Sequence, residues 1–412
     1  MPNSLADYEK IVGKVNISIL KQLAKSLGDV KVVHVNSTRM GGGVAEILEW
    51  LVALMNELGL KTSWEIITGS PEFYQTTKTF HNALQGKAVS ITRLMTEAYE
   101  ETNRQTAERL REILEDADFV FIHDPQPAAL LEHFPNRRGK WIWRCHIDVS
   151  RPYRRVWKYL KEKVTNYDAS IFSLPNFAQR LPHPQFIIAP SIDPLSEKNR
   201  DLDKNEIQET MHHFGIANER PIFTQISRFD RFKDFIGVIE AFNMLRRTVD
   251  AELVLAGGQA TDDPEGQAVL EEVLEAANGD ERIYILDLPG GAHRAVNALQ
   301  RGSTVIIQKS LQEGFGLTVT EALWKEKPVI GGNVGGIRLQ VHNHHTGFRV
   351  NSPEGAALRM RYLLLHPAQL ERMGKTGKQF VKENFLLTRH LREYLTLMLG
   401  LQKGLANYLI TE

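Results

Sequence analysis

The sequence predicts an α/β protein of two domains, each a doubly wound parallel sheet. Three observations lead there. Short β-branched apolar runs alternate with helical stretches, the pattern of parallel strands joined by crossover helices and buried on both faces. Glycine-rich loops recur where a strand ends and a helix begins, the place where such sheets bind ligands. A chain of 412 residues is also too long for one core, so two domains of roughly 200 residues each are expected.

Taken in order, the first strong strand is Lys31-Val32-Val33-His34-Val35. It runs through Asn36-Ser37-Thr38-Arg39-Met40 into Gly41-Gly42-Gly43 and then into a helix. There Val44, Ile47, Leu48, Leu51, Leu54, Met55 and Leu58 recur at helical spacing, and Gly59 closes the element. Three consecutive glycines do not match the G-x-G-x-x-G fingerprint, so a tight turn alone is the competing reading of this loop. Further strands are expected at 63–67, 119–122, 141–145, 169–173 and 186–189. Two of them end in polar clusters, His123-Asp124-Pro125-Gln126-Pro127 and Arg144-Cys145-His146-Ile147-Asp148. A lone histidine is ordinarily structural. His146 gains a functional reading from its place at a strand end beside Arg144 and Asp148.

The segment 189–195 carries two prolines and little periodicity, and reads as an interdomain linker. A charged helix over 204–214 follows. The strand Ile222-Phe223-Thr224-Gln225-Ile226 then leads into Ser227-Arg228-Phe229-Asp230-Arg231-Phe232-Lys233 and a helix over 234–245. A solvated charge cluster is the plain reading of that loop. Its strand-end position favours phosphate binding by Arg228 and Lys233. Strands are expected at 252–256, 282–286, 304–308 and 328–330, and helices at 353–365, 369–385 and 387–401.

The second half centres on Gln312-Glu313-Gly314-Phe315-Gly316-Leu317-Thr318-Val319-Thr320-Glu321, which follows the strand at 304–308. Two glycines in three residues permit positive φ and close approach of backbone to a ligand. Good helix formers run on from Leu317, with Pro328 marking the stop. The N–H groups at this helix start suit an anionic or polyhydroxyl ligand. Glu313 and Glu321 are too far apart to share a proton, so they read as separate contacts to one elongated ligand. A further glycine loop, Gly331-Gly332-Asn333-Val334-Gly335-Gly336, ends the next strand.

Composition narrows the function. Lys+Arg and Asp+Glu are both 50, and a net charge of zero gives no reason to expect nucleic acid. One cysteine, Cys145, excludes an internal disulfide framework and a cysteine-rich metal site. No apolar run reaches the ~20 residues of a membrane span. The start of the chain lacks the basic and apolar segments of a signal peptide. A cytoplasmic protein with no membrane or nucleic-acid partner is expected, and a homodimer stays open. No Asp-x-Asp, His-Glu-x-x-His or EF-hand pattern occurs, so no metal is expected.

Glu313-Gly314-Phe315-Gly316 with Glu321 eight residues on resembles the E-x7-E signature of the retaining GT-B glycosyltransferases of family 4. Arg228 and Lys233 resemble that family's diphosphate pair. The stretches 34–38, 41–46, 78–86, 123–130 and 143–148 further resemble the trehalose glycosyltransferring synthases, which join a nucleotide-activated glucose to glucose. The resemblance covers nearly the whole chain. It implies two Rossmann-like domains facing a deep interdomain cleft: an acceptor-side domain over 1–192, completed by a returning helix at about 387–412, and a nucleotide-sugar domain over 193–386.

The resemblance also implies roles. Glu321 would hold the ribose hydroxyls. Glu313, with the backbone of Gly314, Phe315, Gly316 and Leu317, would hold the donor sugar. Arg228 and Lys233 would bind the diphosphate, approached by the backbone of Gly42 and Gly43. His146 would lie beside the donor sugar, and His81, Asn82, His123 and Asp124 would shape the acceptor side. No cofactor is implied, since the nucleotide sugar is a substrate. Two departures from the pattern, Gln312 in place of an expected Arg and the small residues Gly257-Gly258-Gln259-Ala260, bear on nucleotide or sugar preference. Other readings are a family 4 transferase with a sugar phosphate acceptor, a sugar-nucleotide epimerase of GT-B shape, and a non-catalytic sugar binder.

Overall fold

In the computed structural model the described residues are 3–39, 42–217, 219–258 and 264–404. Met40 and Gly41 of the first glycine loop, Gln259 and Ala260 of the later one, and residues 405–412 lie outside them. The chain divides into two compact units, Met1–Pro190 with Leu387–Glu412, and Ser191–Leu386.

Six strands form the sheet of the first unit: β1 (Lys31–Asn36), β2 (Lys61–Ile66), β3 (Phe119–His123), β4 (Lys140–Cys145), β5 (Ala169–Phe172) and β6 (Gln185–Ile187). They are all parallel and lie in the order β2-β1-β3-β4-β5-β6. From β1 the chain first winds outward to β2, then returns to place β3 on the other side of β1. Connections therefore leave β1 and β3 on opposite faces, and the carboxyl ends of these two strands flank the topological switch point. β3 and β5 are buried along their whole length, and β4 after its first residue, as expected of strands covered on both faces. Trp141 and Trp143 of β4 and Phe172 of β5 are fully buried, as are Phe73, Phe80 and Tyr99 from the helices over them.

The second unit repeats the plan with β7 (Ile222–Ile226), β8 (Glu252–Gly257), β9 (Ile283–Asp287), β10 (Val305–Gln308), β11 (Val329–Gly332) and β12 (Gly347–Val350). Its parallel order is β12-β11-β10-β7-β8-β9, so the switch point falls between β10 and β7. The two loops that carry Arg228, Lys233 and Glu313 leave the ends of those two strands. β12 was not among the expected strands. It is a four-residue edge strand with a glycine and an arginine, too short to show a period, and it exists by pairing with β11.

The helix Leu387–Gln402 completes the first unit by packing on Lys14–Leu27. Leu387, Leu391, Tyr394, Leu395, Met398 and Leu401 form its buried face, at the spacing of an amphipathic helix. Its polar anchor is Arg389, almost wholly buried, which donates to the carbonyls of Ala189 and Pro190, each at 2.9 Å, and pairs with Glu393. Leaving buried carbonyls without donors costs on the order of 1–3 kcal/mol each. Arg389→Met is therefore expected to lower the hydrogen-exchange protection of Leu387–Gln402 amides by at least about tenfold. Unchanged protection would show that apolar packing alone holds this helix.

Candidate active site

At the switch point of the second unit, side chains cross-tie the two loops. After β7, the Asp230 carboxylate accepts the Phe232 N–H at 2.7 Å and bends the chain into the short turn Arg231–Lys233. Asp234 follows in the left-handed region at φ 54° and caps the helix Phe235–Leu245 through the Gly237 N–H. Lys309, buried at the end of β10, forms an ion pair with Asp234. A side chain at Gly237 would push this pair aside, because an added Cβ would lie 2.6 Å from the Asp234 carboxylate and 2.8 Å from Lys309 Nζ. Gln225 adds a bridge: its Nε2 donates to the Lys233 carbonyl at 2.8 Å and its Oε1 accepts from the Lys309 N–H at 3.4 Å. The Leu311 N–H donates to the Phe232 carbonyl at 2.8 Å.

The outcome is that Lys233 Nζ lies 2.7 Å from the Glu313 carboxylate, both side chains mostly buried. Ser310 Oγ donates to the same carboxylate at 3.3 Å. Arg228 is exposed on the first of these loops and makes no ion pair among the described residues.

Glycines set the shape of the Glu313 loop. Gly316 sits at φ 83° and opens the helix Leu317–Trp324. Gly335 and Gly336 let the loop after β11 press against it: a Cβ on Gly335 would fall 1.6 Å from the Glu313 carbonyl oxygen, and one on Gly336 2.5 Å from Phe315 Cα. Buried Gln340 fixes the backbone by donating to the carbonyls of Phe315 at 2.7 Å and Gly316 at 3.3 Å, while its own oxygen accepts from Thr320 Oγ1 at 2.6 Å.

Glu321, on the buried side of that helix, lies 3.3 Å from Lys198. One turn later, buried Lys325 donates to Asn199 at 3.0 Å, Gln300 at 2.7 Å and the Glu321 carbonyl at 3.3 Å. Burial pushes this ammonium down to about 7. The helix stops at Trp324, ahead of the residues at 325–327 that the sequence reading included, because Glu326 turns left-handed at φ 60°.

In the first unit, Gly42 at φ 83° precedes the helix Gly43–Glu57, whose first residue is Gly43. His81 and Asn82 occupy the last turn of the helix Pro71–Leu84. That end is tied to the chain beyond β4 by the Tyr153 N–H, which donates to the Ala83 carbonyl at 2.8 Å. Asp124 adopts φ 64°, and its Oδ1 accepts the His146 N–H at 2.7 Å, which joins the ends of β3 and β4. His123 is buried, with one ring nitrogen 3.0 Å from His34 Nδ1 and the other 3.0 Å from His146 Nε2. Both its nitrogens are thus used within the protein, so His123 supports His146 and presents no polar atom of its own to an acceptor.

Arg144 is fully buried beneath this cluster and donates to Ser173 Oγ at 3.3 Å. Burial lowers its tendency to stay protonated, and Asp124 opposes that. Several of these groups escaped the sequence reading. Lys309 and Ser310 lie in the strand-end position that singled out Glu313, and that position could have found them. Gln340 and Lys198 carry no local signal, and His34 was marked only as the first residue of the stretch 34–38.

Two all-parallel six-stranded sheets with loops of this kind at their switch points make up a GT-B fold. A model of the trehalose synthase N-terminal domain matches residues 34–179, and one of group 1 glycosyl transferases matches 206–380. The chain is 46% identical over 399 residues to the trehalose synthase of Thermococcus litoralis, covering 96% of each. It is 42% identical over 402 residues to that of Rubrobacter xylanophilus, again 96% of each. Among solved structures, an α,α-trehalose-phosphate synthase (UDP-forming) from Burkholderia xenovorans superposes with a TM-score of 0.71 at 14% identity, covering 90% of this chain and 100% of that one. The chain belongs to the trehalose synthase family of group 1 glycosyltransferases. No helix among the described residues is long and apolar enough to cross a membrane.

Asp124 gives the first unit a pH dependence. Burial holds its carboxyl up at about 6, against the opposing hydrogen bond from the His146 N–H and the charge of Arg144. A carboxyl whose folded pKa exceeds its unfolded value binds more protons when folded, so stability falls as pH rises from about 4 to about 6 and then levels. Asn tolerates the left-handed backbone and does not ionise. The melting temperature of Asp124→Asn relative to wild type is expected to climb by several degrees across that window and stay flat above it. A difference independent of pH would mean that Asp124 ionises normally.

Proposed function

We propose that this chain makes trehalose by transferring glucose from a nucleoside-diphosphate glucose to free glucose, reversibly and with retention of configuration. The observation that carries this reading is the Lys233–Glu313 pair, 2.7 Å apart across the two loops at the second unit's switch point, with Arg228 exposed on one of them. A fixed cation beside a carboxylate suits a ligand that is anionic at one end and polyhydroxylic at the other. The names of the relatives support trehalose as the product.

In the proposed reaction the bond from donor C1 to the phosphate oxygen breaks and its electron pair stays on the departing diphosphate. Arg228 and Lys233 neutralise that charge, an effect often worth several kcal/mol where water is excluded. Glu313 accepts hydrogen bonds from donor-sugar hydroxyls, helped by the backbone from Gly314 to Leu317. The acceptor hydroxyl attacks C1 on the face the diphosphate leaves, and its proton passes to the departing phosphate oxygen. Glu321 accepts from the ribose hydroxyls; Lys198 occupies one of its roughly four acceptor positions and leaves others. In the first unit, the Gly42–Gly43 backbone serves the diphosphate, His146 the donor sugar, and His81, Asn82 and Asp124 the acceptor. Arg228 and Lys233 supply the positive charge, so no metal ion or organic cofactor is called for.

Incubation with glucose and ADP-, UDP- or GDP-glucose is expected to yield trehalose with at least one donor. Trehalose with the matching diphosphate should release nucleotide-glucose. Arg228→Ala and Lys233→Ala should each lower turnover at least about a hundredfold. Trehalose formed from maltose without nucleotide would overturn the reading, as would product only with a sugar phosphate acceptor, an epimerised donor in the absence of acceptor, or full activity in both variants.

A further inference from the structure

Three imidazole rings stand in line in the first unit. His34 lies on β1, His123 ends β3 and His146 follows β4, and the order of these neighbouring strands sets the rings side by side. His34 Nδ1 is 3.0 Å from His123 Nε2, and His123 Nδ1 is 3.0 Å from His146 Nε2. The inner ring, His34, stacks on Phe121 at 4.8 Å, and Tyr394 of the returning helix, 4.9 Å from Phe121, lies 6.2 Å from it. His123 stacks on His146 at 5.3 Å. His34 and His123 are buried and His146 is partly so.

We infer that this line of rings fixes His146 as the Nδ1–H tautomer, making it a hydrogen-bond donor to an oxygen of a bound sugar. The sugar rests on the function proposed above; the tautomer does not. A neutral imidazole carries one N–H and one bare nitrogen. His123 must therefore donate on one side and accept on the other, which leaves only two arrangements of the line. In the inward one, His146 Nε2–H donates to His123, His123 Nε2–H donates to His34, and His34 is left with an N–H at Nε2. That nitrogen is buried with no hydrogen-bond partner among the described residues. An orphaned buried N–H is the rarer and costlier defect, compared with a bare acceptor.

The outward arrangement avoids that defect. His34 Nδ1–H donates to His123 Nε2, His123 Nδ1–H donates to His146 Nε2, and the proton of His146 sits on Nδ1. A protonated His123 would satisfy neither neighbour better, and burial, with the two flanking histidines and Arg144, holds it well below the ordinary histidine range. The groups that act on His146 from the surrounding elements are Arg144 on β4, His390 on the returning helix and Asp124 after β3. The first two oppose a positive charge on the ring. The Asp124 carboxyl is already bonded to the backbone N–H of His146. His34 and His123 are accordingly positioning residues, and His146 is the group that meets the ligand.

The tautomer is read directly from long-range proton–nitrogen correlations of the full chain labelled with 15N-histidine at about pH 7.5, with His146 assigned by its loss in His146→Gln. The wild-type spectrum should show His146 as Nδ1–H, and a wild-type Nε2–H would overturn the inference even if no variant folded. His123→Phe keeps the ring volume and removes both nitrogens. It should release His146 to the Nε2–H form and raise KM for the nucleotide sugar about fivefold with kcat little changed. Retention of Nδ1–H in His123→Phe would equally overturn it. A wrong substrate assignment would alter only the kinetic results and leave the spectrum as predicted.

Discussion

Everything proposed for the second unit depends on Lys233 being held against Glu313. A lysine on a loop has a flexible four-carbon stem, and in water an exposed pair of this kind contributes little. Here the backbone beneath it cannot wander. The Lys309–Asp234 pair, the Gln225 bridge and the Leu311 to Phe232 hydrogen bond tie the two loops together before either charge is placed. Preorganised charge of this sort needs no rearrangement when negative charge develops beside it, and that is the property a departing diphosphate demands.

The first unit solves a different problem with the same architecture. Its neighbouring strands bring three histidines, a carboxyl and a buried arginine together, where burial rather than pairing governs ionisation. The left-handed Asp124 and the returning helix are the structural means. One ties the ends of β3 and β4, and the other supplies Tyr394 to pack against His34 and Phe121. A neutral, oriented hydrogen-bonding surface suits sugar hydroxyls better than a charged one.

How much of this could be read from the residues alone follows from where each signal lives. The strand-end loops that carry Glu313, Arg228 and Lys233 were legible because their signals are local: a strand, a turn residue and a helix start within a dozen positions. The glycines at 316, 335 and 336 were legible as loop glycines, but the reason for two of them is contact between loops some twenty residues apart. Lys309 was passed over as the tail of a strand, since its partner Asp234 lies 75 residues away. Lys198 with Glu321, and Gln340 with the Phe315 carbonyl, are tertiary pairings with no mark in the local sequence. His34 read as one more strand residue, and His123 read as an acceptor contact until its burial between two rings was seen. β12 was missed for its shortness.

The claim that loop cations of the second unit recognise a diphosphate is tested most directly by calorimetric binding of ADP, UDP and GDP, beside the corresponding nucleosides, to wild type and Lys233→Met. Recognition through phosphate predicts that the preferred diphosphate loses at least about tenfold in affinity while its nucleoside binds as before. Equal diphosphate affinity in the two proteins, or an equal loss for the nucleoside, would contradict it.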